Sequence, residues 1–203
     1  MGDFSPNAFL SKLQNGGALQ SLFKVTCNVP GTTSGGVADY QYMAKAATFP
    51  ESTITATPIS YMGREIQIPG NRESTQWTNT VYNDEDFLVR NMLTDWMEKL
   101  NSGQDNTRTS TANWLSHATY TGSLSVAGFG KTGTGVALQS YEFYYAWPSS
   151  VGEITLDWET NEIQEYEVTW EYAYWKRTAG TVASSAGTGT TATAAPTDFG
   201  GTV

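Results

Sequence analysis

"IQEYEVTWEYAYW", residues 163–175, decides the fold. Tyr166, Val168, Trp170, Tyr172 and Tyr174 alternate with Glu165, Glu167, Thr169 and Glu171. Successive side chains of a strand point to opposite faces, so the stretch puts aromatic and branched residues on one side of a sheet and carboxylates on the other. The aromatic side packs a core. The acidic side is either a solvated sheet face or a surface turned toward something that must be repelled. Alternation does not say which of its faces points inward in an assembly.

The same pattern extends outward. "ATYTGSLSVAGF" at 118–129 and "VALQSYEFYYAW" at 136–147 read as two strands joined by a Gly-rich turn, and "EITLDW" at 153–158 as a short one. In "SLFKVTCNV", 21–29, Phe23, Val25, Cys27 and Val29 share one face. After the turn "PGTTSGG", "DYQYMAKAATF" at 39–49 reads as a second strand, and "ESTQWTNTVY" at 73–82 as a further one. Before all of these, residues 1–20 form a short, partly helical arm broken at Gly16-Gly17. The expected class is mainly β.

Two segments break the pattern. Residues 50–71, "PESTITATPISYMGREIQIPGN", carry Pro at 50, 58 and 69, and Pro58 argues against a central strand. They read as an extended hairpin, either an ordinary edge hairpin or an arm that pairs with a neighbouring subunit. Ile54, Tyr61, Met62, Arg64, Ile66 and Ile68 are its candidate contact residues. From about 84 to 101, Leu88, Met92, Trp96 and Leu100, widened by Val89, Leu93 and Met97, fall at helical spacing. Asp84, Glu85 and Asp86 precede that run. They lack the alternate ligand spacing and the glycine of a calcium loop. Asn83 or Asp84 as N-cap, with carboxylates at the positive end of the helix dipole, explains them better.

The 203 residues suffice for one domain, residues 1–177, followed by a Thr/Ala/Gly-rich tail over 178–203 that cannot build a core of its own. Twenty acidic against eleven basic residues give a net charge of −9, which opposes stable nucleic-acid binding but not the passage of DNA past a surface that must not hold it. The single cysteine, Cys27, excludes an internal disulfide and sits in step with core residues. No signal peptide is visible and no run reaches the ~18 apolar residues of a membrane span, so the expected site of synthesis and folding is a cytoplasm.

Catalytic constellations are absent from the sequence. Gly130-Lys131-Thr132 ends like a phosphate-binding loop, but position 125 is Ser where glycine is required, and β-formers follow instead of a helix. His117, in an expected loop, has no partner histidine and no nucleophile beside it. The expectation is no enzyme, no metal and no cofactor.

The order of motifs resembles the tail tube proteins of contractile-tailed bacteriophages, of the T4-like myovirus kind. The matching stretches are "FKVTCNVPG" at 23–31, "YMAKAATFPESTITATPISYMGREIQIPGNRESTQWTNTVYNDEDFLVRN" at 42–91 and "SYEFYYAWPSSVGEITLDWETNEIQEYEVTWEYAYW" at 140–175. The resemblance implies a barrel or split sandwich with one flanking helix, hexameric rings stacked into a hollow tube, and inner strands joined around the lumen. It implies that the hairpin at 50–71 reaches a neighbouring subunit or ring. It also implies an acidic lumen for transient, non-specific passage of double-stranded DNA, with Glu165, Glu167 and Glu171 as lining candidates. The implied partners are further copies of the chain, tail sheath, baseplate and tail-terminator proteins, and a tape-measure protein inside the tube during assembly. The implied location is the virion tail, after assembly in the host cytoplasm. Two neighbouring readings stay open: the tube of a related contractile injection system carrying protein cargo, and a baseplate paralogue that initiates the tube.

Overall fold

The computed structural model describes residues 5–13, 16–30, 36–108, 117–131, 135–159 and 161–178. A short helix, α1 (Pro6–Lys12), opens the chain, its N-terminus capped by Ser5 Oγ accepting from Ala8 N–H at 3.2 Å. Then follow β1 (Phe23–Asn28), α2 (Gly36–Met43), β2 (Ala44–Ala47), β3 (Thr53–Tyr61), β4 (Arg64–Glu73) and β5 (Trp77–Tyr82). After these come α3 (Leu88–Leu100), α4 (His117–Tyr120), β6 (Gly122–Phe129), β7 (Ala137–Val151), β8 (Glu165–Glu171) and β9 (Tyr174–Thr178).

Seven strands form one antiparallel sheet in the order β1-β6-β7-β8-β5-β2, with β9 beside β7. Strand β7 carries the chain from one half of the sheet to the other. Residues 137–146 pair with β6, 140–144 also with β9, and 147–151 with β8. The change of partner falls beside Tyr145, which sits at φ 56°. A long strand that serves both layers is how a single sheet folds over itself into a split sandwich. The inner faces meet at Trp77 and Phe143, whose rings lie 5.1 Å apart. Val25, Cys27, Leu124, Val126, Val168 and Trp170 fill the core around them, and Tyr40, Leu93 and Trp96 close it from the helices.

The sheet does not close into a barrel, because β1 and β2 do not pair. On the way into β2, "DYQYM" is helix and not the expected strand. Val37, Tyr40 and Met43 are spaced three apart and pack on the core, while Tyr42 is 75% exposed. The Tyr40 hydroxyl donates to Asn79 Oδ1 at 3.0 Å, a buried bond that a strand here would forfeit. Helix α2 takes those residues and leaves β2 with four. An apolar groove of about 670 Å³ marks the open seam, lined by Leu19, Leu22, Phe23, Phe49, Phe129 and Leu138.

Other boundaries also move. The clearest sequence strand breaks at Tyr172-Ala173 into β8 and β9, which run along the same edge of β7. "EITLDW" has no strand, and Trp158 stands fully exposed in it. Gly130 and Lys131 follow β6, and the next element is its antiparallel partner β7, so a hairpin and not a phosphate-binding helix occupies that place. Thr132, the His117 side chain and the tail from Ala179 onward lie outside the described residues; β9 itself takes Thr178.

Cys27 is 4% exposed in the core, and burial pushes its thiol up to about 12. Burial likewise raises the Tyr40 and Tyr166 hydroxyls. A raised folded value means the native state keeps a proton that the unfolded chain gives up. Its contribution is fully present below the unfolded value and is lost as pH climbs toward the folded one. Urea midpoints should therefore hold steady up to pH ~8.5 and fall above it, by up to ~1.4 kcal/mol per pH unit for the thiol alone. Cys27 should resist alkylation in the native state and react fully in urea.

Candidate functional site

The first surface is the arm. Strands β3 and β4 pair with each other and with no other described strand. Their turn is two residues long, Met62 and Gly63, at φ 51° and 74°. Positive φ at both positions is the I′ geometry that matches the twist of a hairpin. That turn fixes the register: Tyr61 opposite Arg64, Ile59 opposite Ile66, Thr57 opposite Ile68. One face of the ribbon is therefore Ile59, Tyr61, Ile66 and Ile68, and the other is Pro58, Ser60, Glu65 and Gln67. From Ile54 to Glu73 every residue in these strands is exposed. An isolated two-stranded ribbon is marginally stable in water, and this one presents an apolar face with nothing upon it.

The root of the arm is fixed. Trp175 Nε1 donates to the Glu51 carbonyl at 3.3 Å, Arg72 Nη2 donates to Ser52 Oγ at 2.7 Å, and the Arg72 guanidinium lies 5.3 Å from the Trp175 ring centroid. At ~3.3 Å per residue a strand of this length projects about 30 Å. The structure thus keeps Ile54, Tyr61, Met62, Arg64, Ile66 and Ile68 together on one projection. Ile59 was absent from the sequence candidates, although the two-residue turn pairs it with Ile66. Ile54 stands nearer the root, beyond a register shift that separates it from the tip cluster.

The second surface is the acidic face of the half-sheet made by β2, β5, β8 and the end of β7. Tyr166, Val168 and Trp170 of β8 are buried, so Glu165, Glu167, Thr169 and Glu171 point outward, as the alternation requires. Opposite them on β5 stand Tyr82, Thr80 and Thr78. Glu171 Oε1 accepts from Gln76 Nε2 at 2.5 Å. Glu165 is ion-paired with Lys45, a residue that β2 brings onto this face from a bulge and that sequence alternation did not reveal. Among the described residues no three His, Cys, Asp or Glu side chains gather as a metal site would require.

The cap expectation is corrected. Helix α3 starts at Leu88, its cap residue is Phe87 at φ 52°, and no side chain bonds its first turn. Asn83 continues the β5–β8 ladder: its N–H donates to the Gln164 carbonyl at 2.9 Å and its Nδ2 to Gln164 Oε1 at 2.8 Å. With the helix beginning at Leu88, Asn83 stands too far before its first turn to cap it. Asp84 builds the next turn instead, accepting from Phe87 N–H at its carbonyl and from Glu85 N–H at Oδ1. The carboxylates therefore precede the helix. The helix itself buries Val89, Met92, Leu93 and Trp96, a stripe rotated slightly from the predicted one, with Leu88 left exposed. Trp96 Nε1 donates to the Tyr120 carbonyl, and Arg90 Nη1 to the Gly152 carbonyl, each at 3.0 Å.

An exposed apolar arm and a sheet face carrying three outward carboxylates are surfaces suited to assembly, and comparison with known proteins points to an assembling family. Residues 6–178 match the family model of the phage tail tube protein. The chain is 33% identical over 160 residues to the tail tube protein gp19 of Enterobacteria phage T4, which covers 78% of this chain and 91% of that protein; the corresponding protein of phage T6 matches equally well. The fold resembles a chain in the extended sheath–tube complex of PVC, an extracellular contractile injection system. That match has a TM-score of 0.56 at 16% identity and covers 83% of this chain and 97% of the other. The chain belongs to the phage tail tube protein family, as a structural tail tube subunit of the T4-like myovirus kind.

Proposed function

We propose that copies of this chain close into hexameric rings, that rings stack through the arm into a hollow tube, and that the acidic half-sheet lines the bore. The observation that carries the proposal is a pair of free edges. Among the described residues, β7 beyond Ala146 pairs with β8 alone, so residues 147–151 have an open side, and β2 pairs with β5 alone. The half-sheet β2-β5-β8-β7 thus ends in an unpaired strand at both margins, while its inner face is already packed. Unpaired edges are templates for another chain. Joining β2 of one copy to the end of β7 of the next, around a ring, satisfies both edges and turns Glu165, Glu167 and Glu171 toward the axis.

Such a bore repels phosphate, so double-stranded DNA slides through without being held. The 33% identity to phage subunits, against 16% to the injection-system tube, favours a genome over a protein cargo. The sheath around that relative supports a sheath as the outer partner here, with baseplate and terminator proteins at the tube ends, a tape-measure protein inside during assembly, and a place in the virion tail. Residues 1–177 form the tube domain and the Thr/Ala/Gly-rich remainder is an appendage to it. No catalytic role is assigned.

Negative-stain electron microscopy of the purified protein at rising concentration tests this. Hollow rings and stacked tubes are the expected result. A monodisperse monomer at every concentration, unchanged when cognate baseplate is added, would overturn it.

A further inference from the structure

Lys45 is the only Lys or Arg in the four strand segments of the acidic half-sheet. It stands at the bulge between Ala44 and Ala46, and its Nζ pairs with Glu165 Oε2 while lying 5.5 Å from the Tyr82 ring centroid. Glu162, on the adjoining loop, also bears on it. The hydrogen bond that Lys45 donates to Glu165 raises the Lys45 value, so the ammonium stays charged. The two side chains are 41% and 46% exposed, and an ion pair that open contributes little to stability. Yet an unmasked ammonium on a wall that a polyanion slides past is a phosphate-binding group, and a ring would repeat it at one level around the bore.

We propose that Glu165 masks Lys45, so that passing double-stranded DNA meets no free cation on the wall. The proposal rests on the luminal reading of this face. It separates the roles of the carboxylates: Glu167 and Glu171 repel phosphate, whereas Glu165 occupies the one group that would hold it.

The test uses assembled tubes and a short fluorescent DNA duplex, followed by co-sedimentation over a range of salt. Wild-type tubes should retain no duplex. Glu165→Gln tubes should retain it, with affinity falling about eightfold per phosphate contact for a tenfold rise in salt. Lys45→Gln/Glu165→Gln tubes should release it again, and the swapped pair Lys45→Glu/Glu165→Lys should behave as wild type because pairing, not position, hides the charge. Thr169→Lys, made together with Glu167→Gln and Glu171→Gln so that no flanking carboxylate on its own strand can mask it, places an unpaired cation on the same face and should retain the duplex. If this triple variant binds and Glu165→Gln does not, the masking proposal falls alone. If the triple variant is also silent, the luminal reading falls with it. Should Glu165→Gln fail to assemble, the swapped pair decides: duplex retained by it overturns the proposal, and duplex released by it supports masking.

Discussion

Subunits in which residues 57–68 are replaced by a two-residue Gly-rich turn should stay folded and stop forming tubes. Ala56 and Pro69 are register partners, so the cut rejoins the ribbon at a natural rung and keeps the root contacts of Glu51, Ser52, Arg72 and Trp175. What is removed makes no contribution to the core, since every strand residue beyond the root is exposed. The denaturation midpoint of the subunit should therefore shift by no more than the ~0.5 kcal/mol typical of surface changes. Assembly should respond very differently. Burying Ile59, Tyr61, Ile66 and Ile68 against another copy yields about 1.5–3 kcal/mol per side chain before ordering costs. Losing even half of that raises the concentration needed for stacking by roughly a thousandfold. Ile59→Asp and Ile66→Asp, on the same face, should act in the same direction with smaller effect, while Gln67→Asp on the opposite face should do little. Sedimentation and electron microscopy read all four. Tubes of normal length from the arm-deleted subunit would sink the arm's role in stacking.

The contrast between arm and core also explains what the sequence could show. Strand alternation placed the buried and exposed faces of β1 and β8 correctly, because each has one wet side and one dry side. The arm was legible as an anomaly, through its prolines, but not as a surface: Ile59 joins Ile66 only once the Met62–Gly63 turn sets the register. Helix α2 was misread because "DYQYM" satisfies both periods, and the choice is made by Asn79, some forty residues away, which receives the Tyr40 hydroxyl. The cap at Asn83 fails because the β5–β8 ladder runs on to Gln164 and the helix begins only at Leu88. Lys45 stayed hidden because a bulge, not alternation, turns it onto the acidic face. Each miss is a long-range contact overriding a local preference.

Trp170→Ala should be the most damaging single substitution in the domain. The indole is fully buried, lies 5.9 Å from the Trp96 ring and 6.2 Å from the Tyr40 ring, and donates from Nε1 to Asn79 Oδ1 at 2.9 Å. Truncation loses the transfer energy of the ring and leaves a cavity where α2, α3 and the half-sheet meet, for a cost of about 3–5 kcal/mol. Against a total stability on the order of 5–15 kcal/mol, that lowers the melting temperature by roughly 6–20 °C. Trp170→Phe keeps most of the packing and removes only the indole N–H. The Asn79 carbonyl still receives the Tyr40 hydroxyl, so this change should cost about 1–2 kcal/mol. A calorimetric scan of unassembled subunits separates the two; equal losses would mean that the hydrogen bond, not the packing, holds this joint. Assembly should amplify the difference. Trp170 faces the core between Thr169 and Glu171, whose side chains form the proposed wall of the bore, so the strand that anchors the interior also sets the lumen surface. A subunit loosened at Trp170 should lose the flat, two-edged half-sheet that a ring needs. Its tubes should shorten at temperatures well below the melting point of the subunit itself.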